Sequence, residues 1–311
     1  MILMENVIKR YGETLALDHL NMEVDKGQII GLLGPNGAGK TTTIKALIGL
    51  TPIDDGRIEV FGIEQDGKNR DIRRRLGLVT QEVTIYEDLT TRENLMFFGS
   101  LYGLDKDVLV KRLQEVAELI GLEKHLHARP KTFSGGMKRR LNIGCALLHD
   151  PELLIMDEPT VGIDPQSRNH ILEFVRRIAK AGTTILYTSH YIEEVQAISD
   201  RVLIMDQGHI IAQGTTRELI RTLQNEKHVF IDVDITSDET KKKLEALADV
   251  KQVLIVDQNY HVVLHPGVHK FDKVLDLVRS DGINGVTTKE PNLEDVFLVL
   301  TGKKLRDGEA V

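Results

Sequence analysis

Residues 34–41 read Gly-Pro-Asn-Gly-Ala-Gly-Lys-Thr. Residue types in that order are suited to holding phosphates. Glycines let a loop curl until successive backbone N–H groups point inward. Lys40 supplies a point charge for the β- and γ-phosphates of a nucleotide, and Thr41 a hydroxyl for Mg²⁺. Farther along, Asp157 and Glu158 stand side by side in Leu-Leu-Ile-Met-Asp-Glu-Pro-Thr, residues 153–160. Asp157 is suited to hold Mg²⁺, usually through water, and Glu158 to orient and polarise an attacking water. A third group, Ser134, Gly135 and Gly136, places a hydroxyl and two small residues ahead of a helical stretch. That is a second place where backbone N–H groups and a helix dipole can meet an anion.

Three elements must position these groups. The apolar run 29–33 reads as a buried strand, and 41–50 has helical spacing through Ile44, Leu47 and Ile48. The loop between them therefore opens onto a helix N-terminus, whose unpaired N–H groups and positive dipole end favour phosphate. The apolar run 153–156 reads as a second buried strand that delivers its two acids at its C-terminal end, where parallel sheets place their ligands. Ser134 is an N-cap for a helix over 137–148, with Leu141, Ala146 and Leu148 on its apolar positions. One nucleotide needs one phosphate cradle, so the second cradle requires explanation.

With these three signals in order, the chain resembles the ATP-binding-cassette (ABC) ATPases. The resemblance covers roughly residues 2–220 and implies a P-loop NTPase fold: an α/β, RecA-like core with an antiparallel β subdomain and a helical subdomain. It implies ATP and Mg²⁺ as ligands, with Gly34, Pro35, Asn36, Gly37, Ala38, Gly39, Lys40, Thr41 and Thr42 around the nucleotide. It implies that Ser134, Gly135, Gly136 and Met137 form the family signature and serve the ATP of an opposite subunit, so that two copies sandwich two nucleotides. Phe133 stands where the family usually has leucine, and Met137 where it has a glutamine whose amide can bond the nucleotide sugar. By the same resemblance Gln81 contacts Mg²⁺ and reports to a membrane partner. Asp164, in Val-Gly-Ile-Asp-Pro, is the acid of a loop at the dimer interface; His190 bonds the γ-phosphate, beside Glu158 as the catalytic group, and Tyr11 stacks on adenine.

Between Gln81 and the signature, Thr90 and Glu93 form a capping box before a helix carrying Leu95, Phe98, Leu101 and Tyr102. A second helix carries Leu109, Leu113, Val116 and Ile120 and stops at Gly121. This stretch, about 88–150, resembles the helical subdomain that touches the membrane-embedded partner; a hairpin completing its own core would read the same way. After residue 224 the pattern changes. The order β-α-β-β-α-β over 225–311 predicts a small α+β, ferredoxin-like domain. A final helix follows, capped by Asn292 and ended by Gly302. Glu290, Glu294 and Asp295 read as a dipole-matched helix start rather than a metal site. This tail resembles the drug-resistance-type ABC ATPases, which pair with separately encoded permeases.

The 311 residues, 41% hydrophobic and 28% charged, suffice for one large or two ordinary domains. A net charge of −7 argues against nucleic acid as the main partner. No apolar run approaches the roughly 20 residues that span a bilayer, and the start lacks the apolar core of a signal peptide. The one cysteine, Cys145, reads as core packing. The expectation is a cytoplasmic ATPase subunit of an exporter, working as a homodimer against the cytoplasmic face of a membrane permease. Soluble relatives in DNA maintenance or translation usually carry long coiled-coil insertions or two fused cassettes, and this chain has neither. Against a regulator without turnover stand Glu158 and His190.

Overall fold

Ile2, Met4 and Val7 are fully buried on one strand while Leu17, Leu20, Met22 and Val24 are buried on the next. This near-alternation makes β1 (Ile2–Tyr11) and β2 (Thr14–Val24) an antiparallel pair with one face on the core. In the computed structural model, residues 1–223, 226–268, 270–289 and 291–302 are described. Asn225 and Glu290 lie outside them.

The chain continues through β3 (Ile29–Leu33), α1 (Lys40–Leu47), β4 (Asp55–Val60), β5 (Ile63–Glu64), α2 (Arg70–Arg74) and β6 (Leu76–Val79). Then come α3 (Thr91–Leu101), α4 (Lys106–Leu119), α5 (Gly135–Cys145), β7 (Leu153–Asp157), α6 (Pro165–Lys180), β8 (Thr184–Ser189), α7 (Ile192–Ile198), β9 (Arg201–Asp206) and β10 (His209–Gly214). These strands make two sheets, an antiparallel one in the order β2-β1-β4-β5 and one in the order β10-β9-β3-β8-β7-β6. In the second, β9, β3, β8, β7 and β6 run parallel. Every residue of β3, β7 and β8 is buried. The apolar runs 29–33, 153–156 and 185–187 follow from being covered on both faces. One core joins the two sheets, through Val7, Leu20 and Val24 on the first and Ile30, Leu32, Ile155 and Leu186 on the second. Each fully buried aliphatic side chain of this kind contributes about 1.5–3 kcal/mol.

Register decides where the site lies. Leu33 pairs with Ser189 and Asp157 with Thr188. The loops that follow β3, β7 and β8 therefore leave the sheet at the same edge.

Thr90 caps α3 with Glu93 in a reciprocal capping box. The sequence puts Leu101 on the apolar face of this helix with Leu95, but Leu101 is 65% exposed. The packing seam instead runs along Thr91, Leu95 and Gly99, all buried. At Gly99 a Cβ would sit 2.2 Å from Leu109 Cδ1 of α4. Four-residue spacing from that close approach carries the seam away from Leu101.

The chain divides into two compact units, the second beginning at Gly214. The sequence pattern changes later, after residue 224. The difference is α8 (Thr216–Arg221), whose Leu219 is buried and which packs against α11 (Leu293–Thr301), the last helix of the second unit. Between these helices run β11 (Lys227–Val233), α9 (Asp238–Glu245), β12 (Val250–Val256), β13 (Asn259–Leu264), α10 (Asp272–Val278) and β14 (Ile283–Lys289). The sheet order β12-β13-β11-β14, with every pair antiparallel, is that of a ferredoxin-like domain. Val229, Ile231, Val262 and Leu264 pack with Leu244, Val274 and Val278 of the helices into its core.

Candidate nucleotide site

The loop after β3 is built by close approaches. At Gly34 a Cβ would lie 2.6 Å from the Met205 carbonyl oxygen, and at Gly39, where φ is +110°, 2.7 Å from that of Ala16. Only glycine suits both demands at Gly39. At Gly37 a Cβ would meet nothing within 4 Å, so the crest of the loop is open to a ligand. α1 begins at Lys40 with no side chain capping it. Its first N–H groups are left to whatever sits above the loop.

Lys40 is 6% exposed. Its ammonium donates to the carbonyl oxygens of Gly34 at 2.7 Å and Pro35 at 3.3 Å, and stands 3.6 Å from Glu158 Oε1. Burial pushes the Lys40 pKa down, and Glu158 pulls it back up. Contact with the His190 ring, then the charge of Lys40, hold the Glu158 carboxyl below its ordinary value against the opposing pull of burial. His190 Nδ1 lies 3.4 Å from Glu158 Oε2. The carboxylate is therefore gripped from both sides, by an ammonium and an imidazole.

Glu158 has φ +45°, a left-handed conformation that costs an L residue about 1–2 kcal/mol. Its N–H is held by Thr188, at 3.2 Å from the carbonyl oxygen and 3.0 Å from Oγ1. That turn at the end of β7 sends its side chain toward Lys40 and His190. The Thr188 hydroxyl donates to Asp157 Oδ1 at 2.7 Å, and Thr41 Oγ1 lies 3.3 Å from Asp157 Oδ2. A hydroxyl and a buried carboxylate facing each other are hard oxygen donors of the kind Mg²⁺ takes, with the remaining positions left to water and phosphate.

Other sequence-selected residues fall around this centre or apart from it. Tyr11 is 48% exposed at the end of the β1–β2 hairpin, with the Lys9 ammonium 5.6 Å from its ring centre. Asn36 and Gly37 are exposed, whereas Ala38 is buried. Gln81 is exposed after β6, and among the described residues its side chain makes no hydrogen bond to Thr41 or Asp157. Its backbone is held instead. Arg139 of α5, 2% exposed, donates to the carbonyl oxygens of Thr80 at 2.7 Å and of Gln81.

Ser134 caps α5, its hydroxyl accepting the Met137 N–H at 3.3 Å. Ser134 and Gly135 are exposed, and no hydrogen bond or ion pair among the described residues joins them to the loop at 34–42. At Gly136 a Cβ would sit 2.1 Å from Ser167 Oγ, so α5 and α6 start in close contact. Asp164 caps α6 through the Ser167 N–H at 2.9 Å and is exposed. Sequence reasoning missed Thr188, which anchors both acids. Its only signal is the pairing of β7 with β8, which no local motif states.

Comparison with known proteins adds the following. The family model described as "ABC transporter" matches residues 17–161. The linearmycin resistance ATP-binding protein LnrL of Bacillus subtilis is 44% identical over 313 residues, spanning 99% of this chain and 100% of that protein. Nod factor export ATP-binding protein I of Cupriavidus metallidurans is 37% identical, spanning 98% of both. Among solved structures, the ATP-binding subunit of an ABC transporter matches with a TM-score of 0.65 and 32% identity, over 71% of this chain and 92% of that one.

Proposed function

Since the chain belongs to the ATP-binding proteins of ABC transporters and is an ATPase, we propose that it powers an exporter by hydrolysing ATP beside a separately encoded membrane permease. The observation that carries this reading is Glu158, a strained, half-buried carboxylate 3.6 Å from Lys40 and 3.4 Å from His190 at the mouth of the glycine loop. In this reading residues 34–42 wrap the phosphates and Tyr11 stacks on the adenine. Lys40 exchanges the carbonyl oxygens of Gly34 and Pro35 for phosphate oxygens. Glu158 then accepts the proton of the attacking water, while His190 bonds the γ-phosphate. Thr41 and Asp157, with Gln81 as a further oxygen donor, would hold Mg²⁺, which neutralises charge on the phosphates.

The exposed Ser134 and Gly135 serve the γ-phosphate of a second copy, and the exposed Asp164 lies at the same dimer interface. End-to-end likeness to resistance and export proteins, C-terminal domain included, supports export over a soluble role. No helix among the described residues is long and apolar enough to cross a membrane. A peripheral place on the cytoplasmic face, through the permease, follows from this reading. The helical hairpin, with Tyr86 of the preceding segment packed against Phe97, offers a surface for that contact; Tyr86, Phe97 and Leu101 are 50%, 38% and 65% exposed. Affinity purification of the full chain from detergent-solubilised membranes, with mass spectrometry of what accompanies it, tests the proposal. A multi-helix membrane protein in stoichiometric amount is expected. A chain that elutes as a soluble homodimer with full, permease-independent ATPase activity and no membrane protein would overturn the exporter reading.

A further inference from the structure

Glu194, in the first turn of α7, is 2% exposed. Its Oε2 accepts three hydroxyls, from Thr160 at 2.7 Å, Tyr187 at 2.9 Å and Ser189 at 3.0 Å. All three donors are at most 1% exposed. Burial first, and Glu194 second, push the Tyr187 phenol well above its ordinary pKa, so it remains a donor. Arg168 of α6 completes the cluster, with Nε 3.2 Å from Glu194 Oε1.

Each of these partners adjoins a group of the nucleotide site. Ser189 precedes His190, and its Oγ also accepts the Tyr191 N–H at 2.9 Å, so one hydroxyl grips the chain on both sides of His190. Arg168 lies 4.4 Å from the centre of the Tyr191 ring, which in turn packs 4.2 Å from the His190 ring. Thr160 stands two residues beyond Glu158, at the start of the loop that reaches Asp164. We propose that Glu194 is a positioning residue that locks the loops of Glu158 and His190 into one arrangement. The proposal rests on the reading of those two residues as the hydrolytic pair.

Chemistry explains why a carboxylate is required. One oxygen of the anion accepts three hydroxyls, while the other faces the Arg168 guanidinium as its counter-charge. The amide of glutamine still accepts the hydroxyls but turns its NH₂ toward Arg168, so the link to α6 and Tyr191 is lost. A displacement of about 1 Å at the reacting groups can cost up to 10²-fold in rate.

The test uses the full chain and reads ATP affinity, kcat, KM and thermal unfolding. Glu194→Gln is expected to keep ATP affinity and KM within about threefold and to lower kcat roughly tenfold or more. Thr160→Ser should match the parent and Thr160→Val should lose turnover. In a His190→Ala background, followed by single-turnover kinetics, Glu194→Gln should add less than about twofold, since residues acting through one another are not additive. A folded Glu194→Gln with parental kcat, or one whose loss is undiminished in the His190→Ala background, overturns the proposal. If Glu194→Gln does not fold, parental turnover in Thr160→Val overturns it instead. Parental kcat in His190→Ala alone removes the hydrolytic pair, and the proposal with it; a nearly inactive His190→Ala beside a fully active Glu194→Gln removes only the role of Glu194.

Discussion

Replacing Glu158 by glutamine should separate two effects that the geometry puts on one side chain. The carboxylate stands 3.6 Å from the Lys40 ammonium and 12% exposed. At an effective dielectric of 20 that distance corresponds to a gross attraction of about 4–5 kcal/mol. Desolvation of both groups consumes most of it. A residue of about 1 kcal/mol would hold Lys40 against Glu158 when no phosphate is present, and releasing it should tighten ATP binding about fivefold. Turnover should move the other way. The amide can neither accept the proton of water nor polarise it, and loss of a positioned base costs about 10² or more. Fluorescent-nucleotide titration reads the first effect and steady-state phosphate release the second, with thermal unfolding as a check on the fold. The variant should also accumulate an ATP-bound dimer visible by size exclusion. Turnover within tenfold of the parent in a folded Glu158→Gln would refute the catalytic assignment. Weaker ATP binding would refute the competition for Lys40.

Lys40→Ala removes the only charged side chain within the loop and should weaken nucleotide binding itself; unchanged affinity in a folded protein would mean that the loop is not the phosphate site. Ser134→Arg should spare ATP binding but abolish dimer closure and hydrolysis, because Gly136, packed on Ser167, leaves the start of α5 no room to shift. Mixing the Ser134→Arg and Lys40→Ala proteins should restore one working site per heterodimer, and a mixture as inactive as either parent despite measurable heterodimer would exclude the trans arrangement. His149 supplies a pH test: burial pushes its pKa down to about 4 from 6.5, and its ring stacks on Tyr102 at 3.5 Å. A depressed histidine leaves the unfolded chain binding the extra proton between those values, so its contribution is intact above pH 6.5 and lost as pH falls toward 4. Urea unfolding at pH 7 and pH 5 should show His149→Gln losing about 2 kcal/mol less than the parent over that interval, and parallel losses would refute the assignment.

What could be read in the sequence was local. The loop at 34–41, the acids ending β7 and the caps Ser134, Thr90 and Asn292 each announce themselves within a few residues, because the physics of a phosphate cradle or a helix end is itself short-ranged. What escaped depends on pairing across the chain. Thr188 matters because its strand lies in register with Asp157, and Glu194 because three distant hydroxyls converge on it. The apolar face of α3 was misplaced at Leu101, since a glycine rather than a large side chain marks the closest contact with α4. The second unit was legible in its element order, yet α8 joined it because of a partner helix some seventy residues later.

Arg139 gives the two halves of the site a mechanical relation. Its guanidinium is sealed from water, with Nη1 and Nη2 donating to the carbonyl oxygens of Thr80 and Gln81. Sliding the Gln81 segment away from α5 would strand a positive charge in a dry interior, at a cost of several kcal/mol. The segment and the helix must therefore travel as a single piece. Gln81 is thereby tied to the helix that Ser134 caps, one and a half turns from Arg139. Arg139 is thus a strut between the end of β6 and the first turns of α5.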